Sequence, residues 1–265
     1  GEGSAEEIAA TPSEDISPLF TGGKSDWVKS VTTICTPHNS ASVYYPLEML
    51  GLDIFVQTFS YIYAGLLGRS YLNGRLVDFH LEQFGLTDIP GGEKADMFLK
   101  AMKLILENKE DSCQYDLTPE GTKKMNEKLD INEDIYYFSY AYSTTKSGTL
   151  LKGQVPNTST MPILYPFALA MGSYKGTTAN GISIDETWQE NDGLVSVVSA
   201  RYPFNEPYVE YTEFLAEMDG IQRGIWNVAE TRDGDHGKGI GLGNEADSTQ
   251  KFFIDHFELI DSLER

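Results

Sequence analysis

Trp188-Gln-Glu-Asn-Asp-Gly-Leu-Val195 gains its meaning from a second segment downstream, Asp233-Gly-Asp-His-Gly237. Each holds a side chain capable of acid–base chemistry, Asp192 or His236, directly before a glycine. Glycine permits a sharp turn that lifts its neighbour out of regular structure. Pattern alone leaves two readings open at each position: Asp192-Gly193 as half of an acid–base pair or as a plain tight turn, and His236 as a base or as a surface-loop histidine.

Trp27-Val-Lys-Ser-Val-Thr-Thr-Ile-Cys35 is rich in β-branched residues and bounded by Gly22-Gly23 and Thr36-Pro37, which predicts a buried strand ending next to His38. Ile135-Tyr-Tyr-Phe-Ser-Tyr-Ala-Tyr142 reads as a second, aromatic strand, followed by a Gly/Thr/Ser-rich loop to about Asn180. Helical spacing of apolar residues appears over 47–67, over 93–109 and from Asp247 to the end, where Phe252, Phe253, Phe257, Ile260 and Leu263 share a face. A further helix is expected at Pro119, with Thr118 as its cap. Helices interleaved with strands make the class α/β, and the 265 residues read as one globular domain.

Acidic residues outnumber basic ones 40 to 20, a formal charge of −20. That field repels phosphate backbones and anionic membranes, so nucleic acid is not an expected partner, whereas an uncharged ester approaches without penalty. The longest apolar region, Leu47 to Leu67, carries Glu48, Asp53 and Gln57, which a transmembrane helix seldom tolerates. Cys35 and Cys113 are too few for a disulfide framework, and the redox compartment stays open. The Gly-Glu-Gly-Ser start, without Met, suggests a chain cut from something longer.

An acid followed by a histidine on a Gly-rich loop is the order in which α/β-hydrolases place the last two members of a Ser…Asp…His triad. Several stretches, read together, resemble the staphylococcal and bacillary family of secreted true lipases. They are Ser17-Pro-Leu-Phe-Thr-Gly-Gly23, Val31-Thr-Thr-Ile-Cys-Thr-Pro-His38, Val77-Asp-Phe-His-Leu-Glu-Gln-Phe-Gly-Leu86, Tyr115-Asp-Leu-Thr118, Trp188 through Val195, and Arg223-Gly-Ile-Trp226 leading to Asp235-His236. They occur in the family's order across nearly the whole chain.

The resemblance implies an α/β-hydrolase fold, here its C-terminal part, with Asp192 as triad acid and His236 as triad base. It implies an extracellular carboxylic-ester hydrolase acting on triacylglycerols or related acyl esters at a lipid–water interface through an acyl-enzyme. The nucleophile is missing: no Gly-x-Ser-x-Gly occurs, and the nearest string, Met171-Gly-Ser-Tyr-Lys175, lacks the closing glycine. The serine is therefore expected upstream of Gly1. The alternative is a non-catalytic lipase remnant that serves as a lipid-surface or protein-binding element.

By the same resemblance, residues 42–74 correspond to a lid, with Phe55, Phe59, Ile62 and Leu66 on its apolar stripe. Exposing such side chains costs about 1.5–3 kcal/mol each in water, a cost that lipid removes. The other reading of an isolated apolar stripe is a core helix. Asp111 matches one ligand of a family zinc site whose other three ligands would lie upstream, and zinc needs four in a closed structural site. Catalysis requires no cofactor on this reading. Calcium is not expected, because Lys238 stands where relatives carry an acid two positions after the catalytic histidine, and the surrounding Asp233, Asp235, Glu245 and Asp247 miss the spacing of an EF-hand loop. His38 is expected to form hydrogen bonds near the active-site floor; His80 and His256 are expected to be structural or on the surface.

Overall fold

The computed structural model describes residues 27–46, 113–149, 153–178, 181–212, 220–242 and 246–263. The chain divides into two compact units, residues 44–116 and the remainder. In the smaller unit, Tyr44 and Tyr45 meet edge to face and Cys113–Asp116 form one helical turn. The expected lid from residue 47 on, with Phe55, Phe59, Ile62 and Leu66, lies outside the described residues, as do His80 and Asp111.

The larger unit is organised by a four-stranded sheet, all of it parallel, in the order β1-β2-β9-β8. Strand β1 (Ser30–Ile34) comes from the β-branched run and pairs Ser30 with Tyr136 of β2 (Tyr136–Tyr140). Strand β9 (Trp226–Ala229) pairs Trp226 with Tyr137 on one side and with Tyr208 of β8 (Tyr208–Tyr211) on the other. The two central strands are buried on both faces, as a covered parallel sheet requires. The first strand is shorter and more open than Trp27–Cys35 suggests: its residues are half-buried and Trp27 is exposed. Among the described residues β1 is hydrogen-bonded along one edge only.

Period-two alternation along β2 sends its side chains to two core layers. Tyr136, Phe138 and Tyr140 pack with Cys35, Tyr142, Tyr211 and Phe252, the last from the C-terminal helix. Ile135, Tyr137, Trp226 and Val228 pack on the opposite face. The C-terminal helix (Ala246–Ser262) brings Phe252, Phe253, Leu259 and Ile260 onto the sheet at helical spacing, while Phe257, expected on that face, points to solvent. Helix α1 (Pro119–Asn126) begins as its sequence predicts, the Gly121 amide donating to Thr118 Oγ1 at 3.1 Å.

The region expected as one long loop is more structured. Tyr142–Ser143 is strand β3, β4 (Thr145–Ser147) pairs antiparallel with β5 (Gln154–Pro156), and α2 (Tyr165–Ser173) follows. Strands β6 (Gly176–Thr177) and β7 (Ser183–Ile184) make a further antiparallel pair. Helix α2 escapes a periodicity search because Tyr-Pro-Phe-Ala-Leu-Ala-Met-Gly-Ser is apolar nearly all round, so no polar face marks it. It lies hard against β5: a Cβ on Gly153, whose φ is +97°, would come within 2.3 Å of the Gly172 carbonyl oxygen. Met171-Gly-Ser-Tyr-Lys175, the nearest approach to an elbow motif, is the end of this helix and not a strand-to-helix turn.

Candidate active site

Parallel strands gather functional groups at their carboxyl ends, because the loops leaving them converge there. Cys35 follows β1, and β3 lies beside β10 (Arg232–Asp233), from which the chain runs directly into Asp235-His236. The acid loop is held against β3 by the Thr144 amide, which donates to the Asn191 carbonyl at 2.9 Å.

The sequence around Asp192 builds its own cradle. Asn191 Oδ1 accepts the Gly193 amide at 2.9 Å, and Asn191 Nδ2 donates to the carbonyls of Gln189 and Ala168. Gly193 adopts φ +99°, and a Cβ there would press within 3.0 Å of Leu164, so conformation and space both call for glycine. The turn aims two amides back at the acid: Leu194 N at 2.9 Å and Val195 N at 2.8 Å both donate to Asp192 Oδ1. A fully buried carboxylate needs such donors to remain charged. Val195, Val197 and Ala200 then carry the loop into the core through helix α3 (Val197–Arg201).

His236 is tied to Asp192 twice. Its backbone amide donates to the Asp192 carbonyl at 2.8 Å, and its Nδ1 meets Asp192 Oδ2, also at 2.8 Å. The side-chain exposures are unequal, 33% for His236 and 1% for Asp192, so the acid is sealed while the imidazole stays reachable. Among the described residues Nε2 has no hydrogen-bond partner. Burial by itself lowers the pKa of His236, but the hydrogen bond to Asp192 and the charges of Asp192 and Asp235 outweigh it and leave the value above the ordinary 6.5. An imidazole so held can accept a proton at Nε2 and share the resulting charge with the carboxylate behind it.

The neighbouring acids are occupied otherwise. Asp235 accepts the Met161 amide on Oδ2 at 2.7 Å and the Gly237 amide on Oδ1 at 3.1 Å, clamping the histidine loop to the segment before α2. Asp233 accepts Asn157 Nδ2 at 3.2 Å, and Glu190 is exposed.

His38 has its Nε2 3.1 Å from Thr33 Oγ1 and its ring edge-on to Trp226; burial lowers its pKa to about 4. His256 is buried. Its Nε2 lies 2.7 Å from Thr32 Oγ1 and its Nδ1 2.9 Å from the Tyr140 hydroxyl, which meets the Tyr211 hydroxyl at 2.7 Å. This network ties β1, β2, β8 and the C-terminal helix together. Nothing in the local sequence around His256 announces it, because its four members come from four separate elements.

The family described as "Lipase-like, C-terminal domain" matches residues 1–262. The chain belongs to that family. It is 33% identical to lipase 1 of Staphylococcus aureus (strain MRSA252) over 244 residues, which is 90% of this chain and 32% of that protein. With the lipase of Staphylococcus epidermidis (strain RP62A) it shares 34% identity over 230 residues, 86% of this chain and 30% of that one. The chain thus spans about a third of the length of these curated relatives.

Solved structures agree on the architecture of this lipase-like domain. EstA from Clostridium botulinum superposes with a TM-score of 0.77 at 27% identity, over 97% of this chain and 58% of that one. Lipase 1 from Pelosinus fermentans gives 0.71 at 30%, over 100% and 67%, and Staphylococcus hyicus lipase gives 0.63 at 26%, over 93% and 60%. The α/β fold read from the sequence is therefore the fold of the chain.

Proposed function

We propose that this chain supplies the acid and base of a serine-dependent carboxylic-ester hydrolase of the triacylglycerol lipase type, with the nucleophilic serine contributed by sequence outside residues 1–265. The observation that carries this reading is the Asp192–His236 pair, 2.8 Å between Oδ2 and Nδ1, with the carboxylate sealed and Nε2 unpartnered among the described residues. On this reading a serine hydroxyl placed against Nε2 gives its proton to His236 as it attacks the ester carbonyl. Asp192 holds the tautomer that presents a lone pair at Nε2 and shares the imidazolium charge. Collapse of the tetrahedral intermediate returns the proton to the departing alcohol, and water repeats the sequence to release the acid. The roles of Asp192 and His236 need no cofactor.

Among the described residues β1 is hydrogen-bonded on one side only, which suits this reading, since a further parallel strand laid along its other edge would bring its carboxyl end beside Cys35 and Asp192. An acyl-ester lipid at a neutral or zwitterionic surface, met outside the cell, fits the charge of −20 better than an anionic membrane does. The stripe of Phe55, Phe59, Ile62 and Leu66 is proposed as the part of a lid that such a surface receives. Replacing Phe55 and Phe59 by Ser in the full-length protein is expected to reduce turnover of emulsified triglyceride far more than turnover of a soluble ester; equal losses would make the stripe core.

The nucleophile is tested by labelling the full-length protein with a fluorophosphonate and mapping the adduct. The expected result is one modified serine, outside residues 1–265, whose labelling is abolished by His236→Ala. A modified serine within 1–265 would overturn the assignment, and no labelling with no ester turnover would favour a lipid- or protein-binding remnant.

A further inference from the structure

Among the described residues one gathering of three ionisable groups stands out. The Sγ of Cys35, a carboxylate oxygen of Asp192 and a ring nitrogen of His236 all lie within 4.8 Å of one another. Cys35 is 3% exposed and is a free thiol. Three roles are open to it: metal ligand, nucleophile or hydrogen-bond donor.

The first two fail on chemistry. A closed zinc site wants four ligands, and here His236 Nδ1 is already committed to Asp192. A nucleophile must be a thiolate, yet burial first and the charge of Asp192 second push the Cys35 thiol well above the ordinary range. A protonated thiol walled in beside a carboxylate is a donor.

The acceptor has room for it. An ionised carboxylate offers about four lone-pair directions. Three are taken on Asp192, by the amides of Leu194 and Val195 and by His236 Nδ1. The backbone gives an independent reason to assign the thiol a role. Cys35 sits at φ +53°, a conformation glycine adopts without strain and a side chain does not. Its amide is pinned to the Tyr140 carbonyl at 2.9 Å, and a Cβ on Gly239 would come within 3.4 Å of its Sγ, so the side chain is confined from that direction. A strained backbone that keeps a side chain is better explained by what the side chain touches than by space filling.

We propose that the Cys35 thiol donates the fourth hydrogen bond to the Asp192 carboxylate and so tempers the hold of that carboxylate on His236. Cys35 is then a positioning residue that acts through the acid, and this rests on Asp192 and His236 being the acid–base pair. A carboxylate shared among four donors binds an imidazolium less tightly than one shared among three. Removing the thiol makes His236 more basic; a serine hydroxyl, also a donor, restores it.

Two measurements on the full-length protein test this. The infrared difference between the protein and its Cys35→Ser variant isolates the Cys35 S–H stretch, whatever other thiols are present. It is expected at lower frequency than that of a free thiol and to move back up in Asp192→Asn; a band at the free position overturns the proposal, and this readout needs no catalysis. The acid limb of the kcat/KM profile on a soluble ester is expected to move up by roughly half a pH unit in Cys35→Ala and to return in Cys35→Ser. Identical limbs in all three proteins would also overturn it. A lowered S–H band together with full activity of Asp192→Asn would leave the contact standing and sink the catalytic reading instead. Should Cys35→Ala fail to fold, the infrared test still decides.

Discussion

His236 is half-buried and His256 buried, and both have ring nitrogens in hydrogen bonds shorter than 3 Å, yet their pKa values move in opposite directions. His256 meets only hydroxyls, from Thr32 and Tyr140; burial first and the Arg232 guanidinium second pull its pKa down to about 4. His236 meets the Asp192 carboxylate, and its pKa rises in spite of burial. At His236 a carboxylate partner offsets burial and makes the imidazole a reservoir for a proton, whereas at His256 hydroxyl partners leave burial unopposed and the ring is a neutral strut. Each role follows from the element that carries the ring. The first rides a glycine-flanked loop that reaches solvent, the second a helix laid on the sheet.

The widest gap between the two rings is expected in turnover. In the full-length protein, Asp192→Asn and His236→Ala should each reduce kcat on a soluble ester by several orders of magnitude, and the double variant should be no worse than the poorer single one, because the pair acts as a unit. Asp235→Asn serves as the control in the same series. Its carboxylate clamps the Met161 and Gly237 amides, so a loss of under about tenfold is expected, with a cost to stability of about 1–3 kcal/mol. Severe damage from Asp235→Asn with a mild Asp192 effect would exchange the roles of the two acids.

Stability should separate the rings the other way. His256→Ala strips partners from Thr32 and Tyr140 and leaves a cavity beside Phe252, so urea unfolding should show a loss of about 2–4 kcal/mol. The titration of His236 should not move. The pH dependence sharpens the contrast. Between 6.5 and about 4 the unfolded chain binds protons at His38 and His256 that the native state refuses, so stability falls with pH in that window. Each histidine contributes about 1.4 kcal/mol per unit of depression. His236 runs oppositely: its contribution is complete below 6.5 and fades as pH rises through its elevated value. Removing His256 should flatten the acid slope and leave the alkaline fade; an unchanged slope would mean that its burial is not what holds its pKa down.

What the sequence discloses follows the same division. The turns at Asp192 and His236 are legible because glycine beside an ionisable residue marks a turn, and a turn needs only neighbours in the chain, but the pairing of the two side chains is expected only from the resemblance to the lipases. The strands at Ser30–Ile34 and Tyr136–Tyr140 and the Thr118 cap are legible for the same local reason. The Cys35 thiol reads only as part of an apolar run, because the carboxylate that gives it meaning comes from a loop far along the chain. The Thr32–His256–Tyr140–Tyr211 network is silent on that account too. Helix α2 is hidden by the absence of a polar face, not by distance.

The parallel sheet has a consequence for how the protein reaches this state. Parallel neighbours cannot be joined by a tight hairpin, and pairing Ser30 with Tyr136, then Tyr137 with Trp226, closes loops of roughly a hundred residues each before either contact is rewarded. The Lys29 ammonium, which meets the Leu263 carbonyl at 2.6 Å, joins stretches 234 residues apart. Such topology makes for slow assembly, since loop-closure entropy precedes the gain from burial. During that delay β1 has an open edge and Tyr136, Phe138 and Tyr140 await their cover, so the nascent chain depends on meeting its own distant segments before it meets another copy of itself.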